Sequence, residues 1–195
     1  MPRLKGNTKE IILEKSLKLF AKDGFAAVSI RTIAAEVGIG NSALYKHFPS
    51  KQAIFDALVE DQKRKYLEYA KQVSAEIRGV DAVTKACLNM YRYQTTNEEI
   101  VSFRQLLLIE QFRDPKMAEI YREFFVDIPL ERLSSIFKTL QKQGLMKEGD
   151  ACVYAMELYA PFYLFHLAAH KDMEEYFRIH VKRFSSNFIM KKDRI

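Results

Sequence analysis

The sequence predicts an all-α protein, with an N-terminal three-helix head, a long fourth helix and a C-terminal helical bundle. Three observations favour this class. Only 7 glycines and 5 prolines interrupt the 195 residues, so the chain has few places to turn. Apolar residues recur at the spacing of a helix face along most of the chain, and no segment carries the alternation of a strand. Most of these periodic segments begin at a Ser, Thr, Asn or Asp that can cap a helix.

The composition is that of a globular chain, with 48% hydrophobic and 29% charged residues. No apolar run approaches the 18 or so residues of a membrane span, and the N-terminus lacks the apolar region of a signal peptide. We therefore expect a cytoplasmic protein with no membrane partner. Cys87 and Cys152 lie far apart without CxxC spacing, which predicts small buried residues in a reducing compartment, with a regulatory thiol pair as the alternative. No cofactor is predicted.

The positive charge is concentrated at the N-terminal end. Residues 1–51 hold nine Lys and Arg against four Asp and Glu, whereas the remaining residues hold 22 against 21. This asymmetry is expected of a segment that approaches a polyanion such as DNA.

The first helix is predicted over residues 8–23, with Thr8 as its cap. Ile12, Leu17 and Phe20 form its apolar stripe, and Gly24 stops it. This helix would support the segment that follows.

Residues 29–51 carry the pattern of a helix-turn-helix, SIRTIAAEVGIGNSALYKHFPSK. Two helices that cross steeply need a small residue at the crossing, a glycine at the turn and an apolar plug on the second helix. Ala34, Gly38 and Leu44 supply these in that order. Ser29 is predicted to cap the first of the two helices and Asn41 the second.

In a helix-turn-helix, the start of the second helix enters the major groove, where side chains meet base edges. The candidate base readers are Asn41, Ser42, Ala43 and Lys46, and Ser29 and Arg31 would flank the groove. The sequence leaves open which of them sets base specificity.

The fourth helix is predicted to run from about residue 51 to 77, about 40 Å at 1.5 Å per residue, with Ser50 as its cap. Further helices are predicted to start near Asp81, after Asn97, at Pro115, at Pro129, after Asp150 and after Asp172, the last with Glu175 in a capping box. The predicted domains are 1–50, which would bind DNA, and 51–195, with the fourth helix shared.

The N-terminal motifs resemble those of the tetracycline-repressor (TetR) family of bacterial transcription regulators. The resemblance lies in Gly24-Phe25, SIRTIA from Ser29, Gly38-Ile39, LYKHF from Leu44, and Lys51. It covers about residues 8–60, and the helical remainder matches only in architecture. Ser29 stands where Thr is commoner, and Thr32 where an acid or Lys is often found.

The resemblance implies a dimeric regulator of double-stranded DNA. Tyr45, His47 and Lys51 would bind phosphates, and two heads would span a palindromic operator. Tyr45 could instead be a packing aromatic. A small effector, expected to be apolar or aromatic, would bind the C-terminal body and release a repressor from the DNA.

Bulky or polar groups on apolar helix faces are candidates for the effector pocket, with ordinary core residues as the alternative. They are Tyr91, Tyr93, Phe103, Arg104, Leu107, Glu110, Gln111, Phe124, Phe125, Met156, Tyr159, Phe162 and His166. Arg104 and Glu110 lie in an apolar run and so must pair, face solvent or meet a ligand. His166 and His170 have i, i+4 spacing but no further ligand pattern, so no metal site is predicted.

The last two helices carry more aromatic surface than one small body needs. The candidate dimer residues are Tyr154, Leu158, Phe165, Tyr176, Phe177, Phe184 and Phe188. Pro161 predicts a kink or a break within this region.

The sequence contains no nucleophile elbow and no phosphate-binding glycine loop, so an enzyme is not expected. Two alternatives to a repressor stay open. One is an activator of the same family, and the other is a helical ligand-binding module that does not read DNA.

Overall fold

The computed structural model describes residues 7–75, 80–167 and 172–190. Its helices are α1 (Thr8–Asp23), α2 (Ile30–Val37), α3 (Asn41–His47), α4 (Lys51–Ala75), α5 (Val80–Thr96), α6 (Glu98–Glu110), α7 (Pro115–Arg122), α8 (Ile128–Lys142), α9 (Ala151–Leu167) and α10 (Met173–Phe188). A π-helical turn, Glu123–Asp127, joins α7 to α8. The predicted all-α class is confirmed, and within the described ranges the only β feature is a bridge between Met146 and Ile189. None of the described helices is long and apolar enough to cross a membrane.

The chain forms two compact units. The first unit contains Met1–Leu67 and Asn97–Tyr121, and the second contains Glu68–Thr96 and Arg122–Ile195. The division passes through α4, so this helix contributes to both. The first unit is larger than the predicted head of residues 1–50, because it includes most of α4 as well as α6 and α7.

Several predicted helix starts are confirmed by their hydrogen bonds. The Ser50 hydroxyl accepts the Ala53 N–H at 3.0 Å, and Asn97 Oδ1 accepts the Glu99 N–H at 3.1 Å. Asp150 Oδ1 accepts the Cys152 N–H at 2.7 Å. Each satisfies a backbone donor that the helix itself leaves without a partner.

Two predicted caps are wrong, and a third, Asp172, has the predicted position but lacks the side-chain bond. Asn7 caps α1 in place of Thr8, which is already helical. Gly40 takes the cap position of α3, so Asn41 is the first residue of that helix. The Asp172 side chain makes no cap bond, because its backbone is not extended, and Glu175 pairs with Arg178 instead.

The first unit is closed by apolar side chains from α1 to α4. Ile12 and Phe20 of α1, Leu44 of α3 and Phe55 of α4 are fully buried. Phe25, in the loop after α1, packs edge to face against Phe20 at 5.1 Å and Phe55 at 5.3 Å between ring centroids. The packing of the Phe25 ring against Phe20 and Phe55 therefore anchors the loop that leads into α2.

The second unit has an aromatic core built from α5, α8, α9 and α10. Phe177 of α10 stacks on Tyr91 of α5 at 5.0 Å and meets Phe162 of α9 at 5.4 Å. Phe137 of α8 stacks on Phe184 at 5.6 Å. Pro161 lies inside α9, which continues through it without a break.

The π-helical turn stands beside a proline. Pro129 lacks a backbone N–H and so cannot donate to the Phe125 carbonyl four residues earlier. The Tyr159 hydroxyl of α9 donates to that carbonyl at 2.8 Å. A side chain from a neighbouring helix thus supplies a donor that the proline removed.

Candidate DNA-binding surface

The segment from Ser29 to Phe48 forms two short helices joined by a three-residue turn. Ser29 Oγ accepts the Thr32 N–H at 3.1 Å, so the predicted cap of α2 is confirmed, and it also bonds the Thr32 hydroxyl at 2.8 Å. Gly38 ends α2 with φ 78°, a left-handed conformation that only glycine adopts without strain. The Ile39 N–H then bonds the Ala34 carbonyl at 3.0 Å, which closes the turn.

One face of this segment is buried as predicted. Ile33, Ala34 and Val37 of α2 pack inward together with Leu44 of α3, and Phe48 closes the end of α3. The small side chain of Ala34 allows the two helices to approach each other, and Leu44 fills the space below.

The other face is exposed. The predicted DNA-contacting residues that lie on it are Ser29, Arg31, Asn41, Ser42, Ala43, Tyr45, Lys46 and His47. Tyr45 is 52% exposed, which is not the position of a core aromatic. Seven of these eight side chains can form hydrogen bonds, and Ala43 offers only a methyl group.

The charge of this face is positive. Glu36, the one acid between residues 29 and 51, pairs with Lys15 of α1 at 3.2 Å. Arg31 and Lys46 lie on the exposed face, and α3 contains no acidic residue. Such a surface attracts a polyanion and presents donors to it.

Lys51, predicted to bind phosphate, has other partners in the structure. Its Nζ donates to the carbonyls of Phe25 at 2.6 Å, Ala26 at 3.2 Å and Val28 at 2.8 Å. An ammonium group has three protons, and three carbonyls accept them. Burial lowers the pKa of Lys51, and the nearby Glu110 carboxylate opposes that shift. In this arrangement all three ammonium protons face carbonyls, and the phosphate contact of Lys51 stays a prediction.

Glu110, at the end of α6, also reaches the loop after α1. It is 5% exposed, and its Oε1 accepts the Phe25 N–H at 3.1 Å. The sequence indicated that this acid must pair, face solvent or meet a ligand, and the structure shows that it pairs. The true partner is a backbone group 85 residues away, which no local pattern reveals.

The candidate pocket residues do not form one cluster within a compact unit. Phe103, Arg104, Leu107, Glu110 and Gln111 belong to the first unit. Tyr91, Tyr93, Phe124, Phe125, Met156, Tyr159 and Phe162 belong to the second. Phe103, Leu107, Phe124 and Phe125 are completely buried and serve as core, whereas Met156 is exposed. The side chain of His166, and all of His170, lie outside the described residues.

The candidate dimer residues divide by exposure. Leu158, Phe177 and Phe184 are buried in the core of the second unit, so their candidate role at a dimer interface stays a prediction. Tyr154 and Phe188 are half-buried and pack on each other at 4.7 Å. Tyr176 is exposed, and the Phe165 side chain lies outside the described part.

Both cysteines were predicted to be buried. Cys87 is only partly buried in terms of its exposed surface, although the desolvation of its thiol raises the pKa to about 12. Cys152 is exposed at the start of α9, so the prediction is wrong for this residue.

A capped helix, a glycine turn and a second helix with exposed polar and basic residues define a helix-turn-helix protein of the regulator class. The family model described as bacterial regulatory proteins, tetR family, matches residues 12–58. This match confirms, for the N-terminal segment, the predicted resemblance to the TetR family of bacterial transcriptional regulators.

Curated relatives match the N-terminal part. YerO, an uncharacterised HTH-type transcriptional regulator of Bacillus subtilis (strain 168), is 39% identical over 71 residues, which are 36% of this chain and 25% of YerO. The nucleoid occlusion factor SlmA of Escherichia coli O1:K1 is 44% identical over 57 residues, 29% of each chain. This chain therefore spans between a quarter and a third of the length of these relatives.

Solved structures match the fold along nearly the whole chain. The SmeT–triclosan complex has a TM-score of 0.73 and 19% identity, and covers 96% of this chain and 94% of SmeT. SmeT is the repressor of the Stenotrophomonas maltophilia multidrug efflux pump SmeDEF. The TetR family regulator PfmR from Thermus thermophilus has a TM-score of 0.67 and 21% identity, and covers 90% of this chain and 97% of PfmR.

Proposed function

We propose that this protein is a dimeric transcriptional repressor that binds a palindromic operator and is released by a small-molecule effector. The observation that carries the proposal is the exposed polar and basic face of α2 and α3, set on a buried apolar face. Asn41, Ser42, Ala43 and Lys46 would meet base edges, and Ser29, Arg31, Tyr45 and His47 would bind the backbone or flank the groove. A protein with this role works in the bacterial cytoplasm.

Dimerisation is proposed because one head covers too little of the groove for a specific site. Two heads would bind half-sites one helical turn apart, about 34–36 Å. The second unit offers an apolar surface for this purpose. Val153, Met156 and Leu164 are more than half exposed on α9, as are Tyr176 and Ile179 on α10. The opposite face of α9 is buried in the core, so α9 is apolar on both sides. In the proposed dimer, the partner would cover the exposed apolar side.

The repressor role and the effector are supported by likeness to SmeT, a repressor whose fold is similar and which has been solved with triclosan. The candidate pocket residues of the second unit, such as Tyr91 and Phe162, are the groups to probe with a ligand. The predicted division into a DNA-binding segment, 1–50, and a ligand-binding and dimerisation segment, 51–195, is part of this proposal.

Operator selection from random duplexes, followed by binding measurements at several salt concentrations, tests DNA recognition. We expect enrichment of one palindrome and a log–log salt slope of about −0.9 for each phosphate contacted. Weak binding with no preferred sequence would favour a helical module that does not read DNA.

The repressor and activator alternatives are separated by transcripts of the genes beside the operator in a deletion strain. We expect these transcripts to rise, and a fall would identify an activator. Sedimentation of the wild type and Met156→Glu tests the dimer. We expect the charge to shift the wild-type dimer toward monomer, and an unchanged dimer would exclude this face of α9.

A further inference from the structure

The loop between α1 and α2 is held from two sides by charged groups. Lys51, the first residue of α4, donates to the carbonyls of Phe25, Ala26 and Val28. Glu110, the last residue of α6, accepts the Phe25 N–H. We call Lys51, Glu110 and the loop of residues 24–28 the loop clamp.

The parts of the loop clamp fit together closely. The Lys51 ammonium lies 4.5 Å from the centre of the Phe25 ring, which adds a cation–π contact to the three hydrogen bonds. A Cβ at Gly24 would lie 3.1 Å from Glu110 Oε1, a tight contact that shows how closely the carboxylate approaches the loop. The φ of 84° at Gly24 also favours glycine. The Glu110 charge favours the ammonium form of Lys51.

The loop leads directly into the reading helices. Ser29 follows it and caps α2, and α2 and α3 are fixed to each other by their buried face. The direction in which α2 leaves the loop therefore sets where the exposed residues of α3 lie. The loop clamp therefore fixes the direction of α2 relative to the start of α4 and the end of α6, which both belong to the first unit.

We propose that Lys51 and Glu110 are positioning residues for DNA recognition, which hold residues 24–28 and so orient α2 and α3. Neither residue touches DNA. The proposal rests on the proposed function as a DNA-binding regulator. It assigns Lys51 a role that differs from the phosphate contact implied by the resemblance to the TetR family.

Salt dependence separates positioning from phosphate contact. Lys51→Met should weaken operator binding about tenfold at every salt concentration while leaving the log–log slope unchanged, since no counterion-releasing contact is lost. A slope less negative by about 0.9 would show that Lys51 binds a phosphate and would overturn its positioning role.

Glu110→Leu provides a second test, in which the direction of the change in DNA affinity decides between the two explanations. Removal of an acid from a DNA-binding protein strengthens binding if only charge matters. Positioning predicts the opposite, a loss of about tenfold, because the Phe25 N–H loses its acceptor. The matched control is Glu36→Gln, which removes an exposed acid of α2 and should leave binding unchanged or slightly stronger. Stronger binding by Glu110→Leu would overturn the proposal.

Amide hydrogen exchange tests the loop clamp without DNA, and so keeps it separate from the proposed function. The Phe25 amide should be protected in the wild type and in Glu110→Gln, which keeps an oxygen acceptor, and should exchange at least tenfold faster in Glu110→Leu. A Phe25 amide that is unprotected in the wild type would overturn the proposal even if a variant failed to fold. Failure of the wild type to bind any duplex would instead reject the proposed function.

Discussion

The two compact units differ in what their side chains reveal about function. In the first unit, the two short helices α2 and α3 bury one apolar face and leave a defined set of polar residues outside, so the candidate site is visible as an exposed face. In the second unit, the residues that the sequence offered as dimer contacts differ in exposure: Leu158, Phe177 and Phe184 are buried in the core, whereas Tyr176 is exposed. The candidate DNA-binding face therefore follows from local spacing and exposure, whereas the candidate dimer residues can be divided only by tertiary packing.

The largest effect on stability is expected within a pair of adjacent residues of α10, Tyr176 and Phe177. Phe177 contacts Tyr91 and Phe162 in the core, whereas Tyr176 is 55% exposed. Phe177→Ala should reduce the free energy of unfolding by about 3–5 kcal/mol, because it leaves a cavity. Tyr176→Ala should change it by at most about 0.5 kcal/mol in the monomer.

Urea denaturation at several protein concentrations measures both substitutions and separates monomer stability from dimer association. Equal losses for the two variants in the monomer would contradict the division into core and surface.

A smaller effect is expected at the proline-adjacent turn of the second unit. Tyr159→Phe keeps the ring of Tyr159 but removes the hydroxyl that donates to the Phe125 carbonyl at 2.8 Å. The loss should be about 1–2 kcal/mol, since a buried acceptor loses a donor. Thermal or urea unfolding measures it, and a variant as stable as the wild type would show that this bond contributes nothing.

The glycine turn of the first unit gives a matched pair, in which one substitution has an effect of similar size and the other has the smallest effect. A Cβ would meet no atom within 4 Å at Gly38 or at Gly40, so neither position is limited by space. Gly38 has φ 78°, whereas Gly40 has φ −73° and caps α3. Gly38→Ser should therefore cost about 1–2 kcal/mol through backbone strain. Gly40→Ser should change stability by only a few tenths of a kcal/mol, since serine is a good cap.

Hydrogen exchange of the α2 and α3 amides reports this difference locally, and operator affinity reports it functionally. If both serine variants behaved alike, backbone conformation would not be the reason for the glycine at position 38.

Local signals in the sequence predicted much of the first unit. The Ser29 cap, the Gly38 turn and the inward positions of Ala34 and Leu44 depend on neighbours within a few residues, so spacing was sufficient. The cap predicted at Asn41 was wrong because Gly40, one residue earlier, occupies the cap position of α3. A sequence pattern does not resolve a shift of one residue.

Long-range partners could not be predicted in this way. Lys51 bonds carbonyls 23 to 26 residues away, and Glu110 bonds an N–H 85 residues away. Tyr176 and Phe177 are adjacent aromatic residues, and only the packing of α5, α9 and α10 decides which of them is buried. Residue type therefore indicated which groups needed partners, and tertiary packing decided what those partners were.

Pro129 and Tyr159 have a consequence for the descent of this protein. The proline withholds a backbone donor, and the tyrosine hydroxyl supplies one to the same carbonyl, Phe125. A descendant that replaced the proline would regain the donor, and selection on the hydroxyl would relax. We therefore expect the two positions to covary among close homologues, with phenylalanine appearing at 159 mainly where 129 is no longer proline.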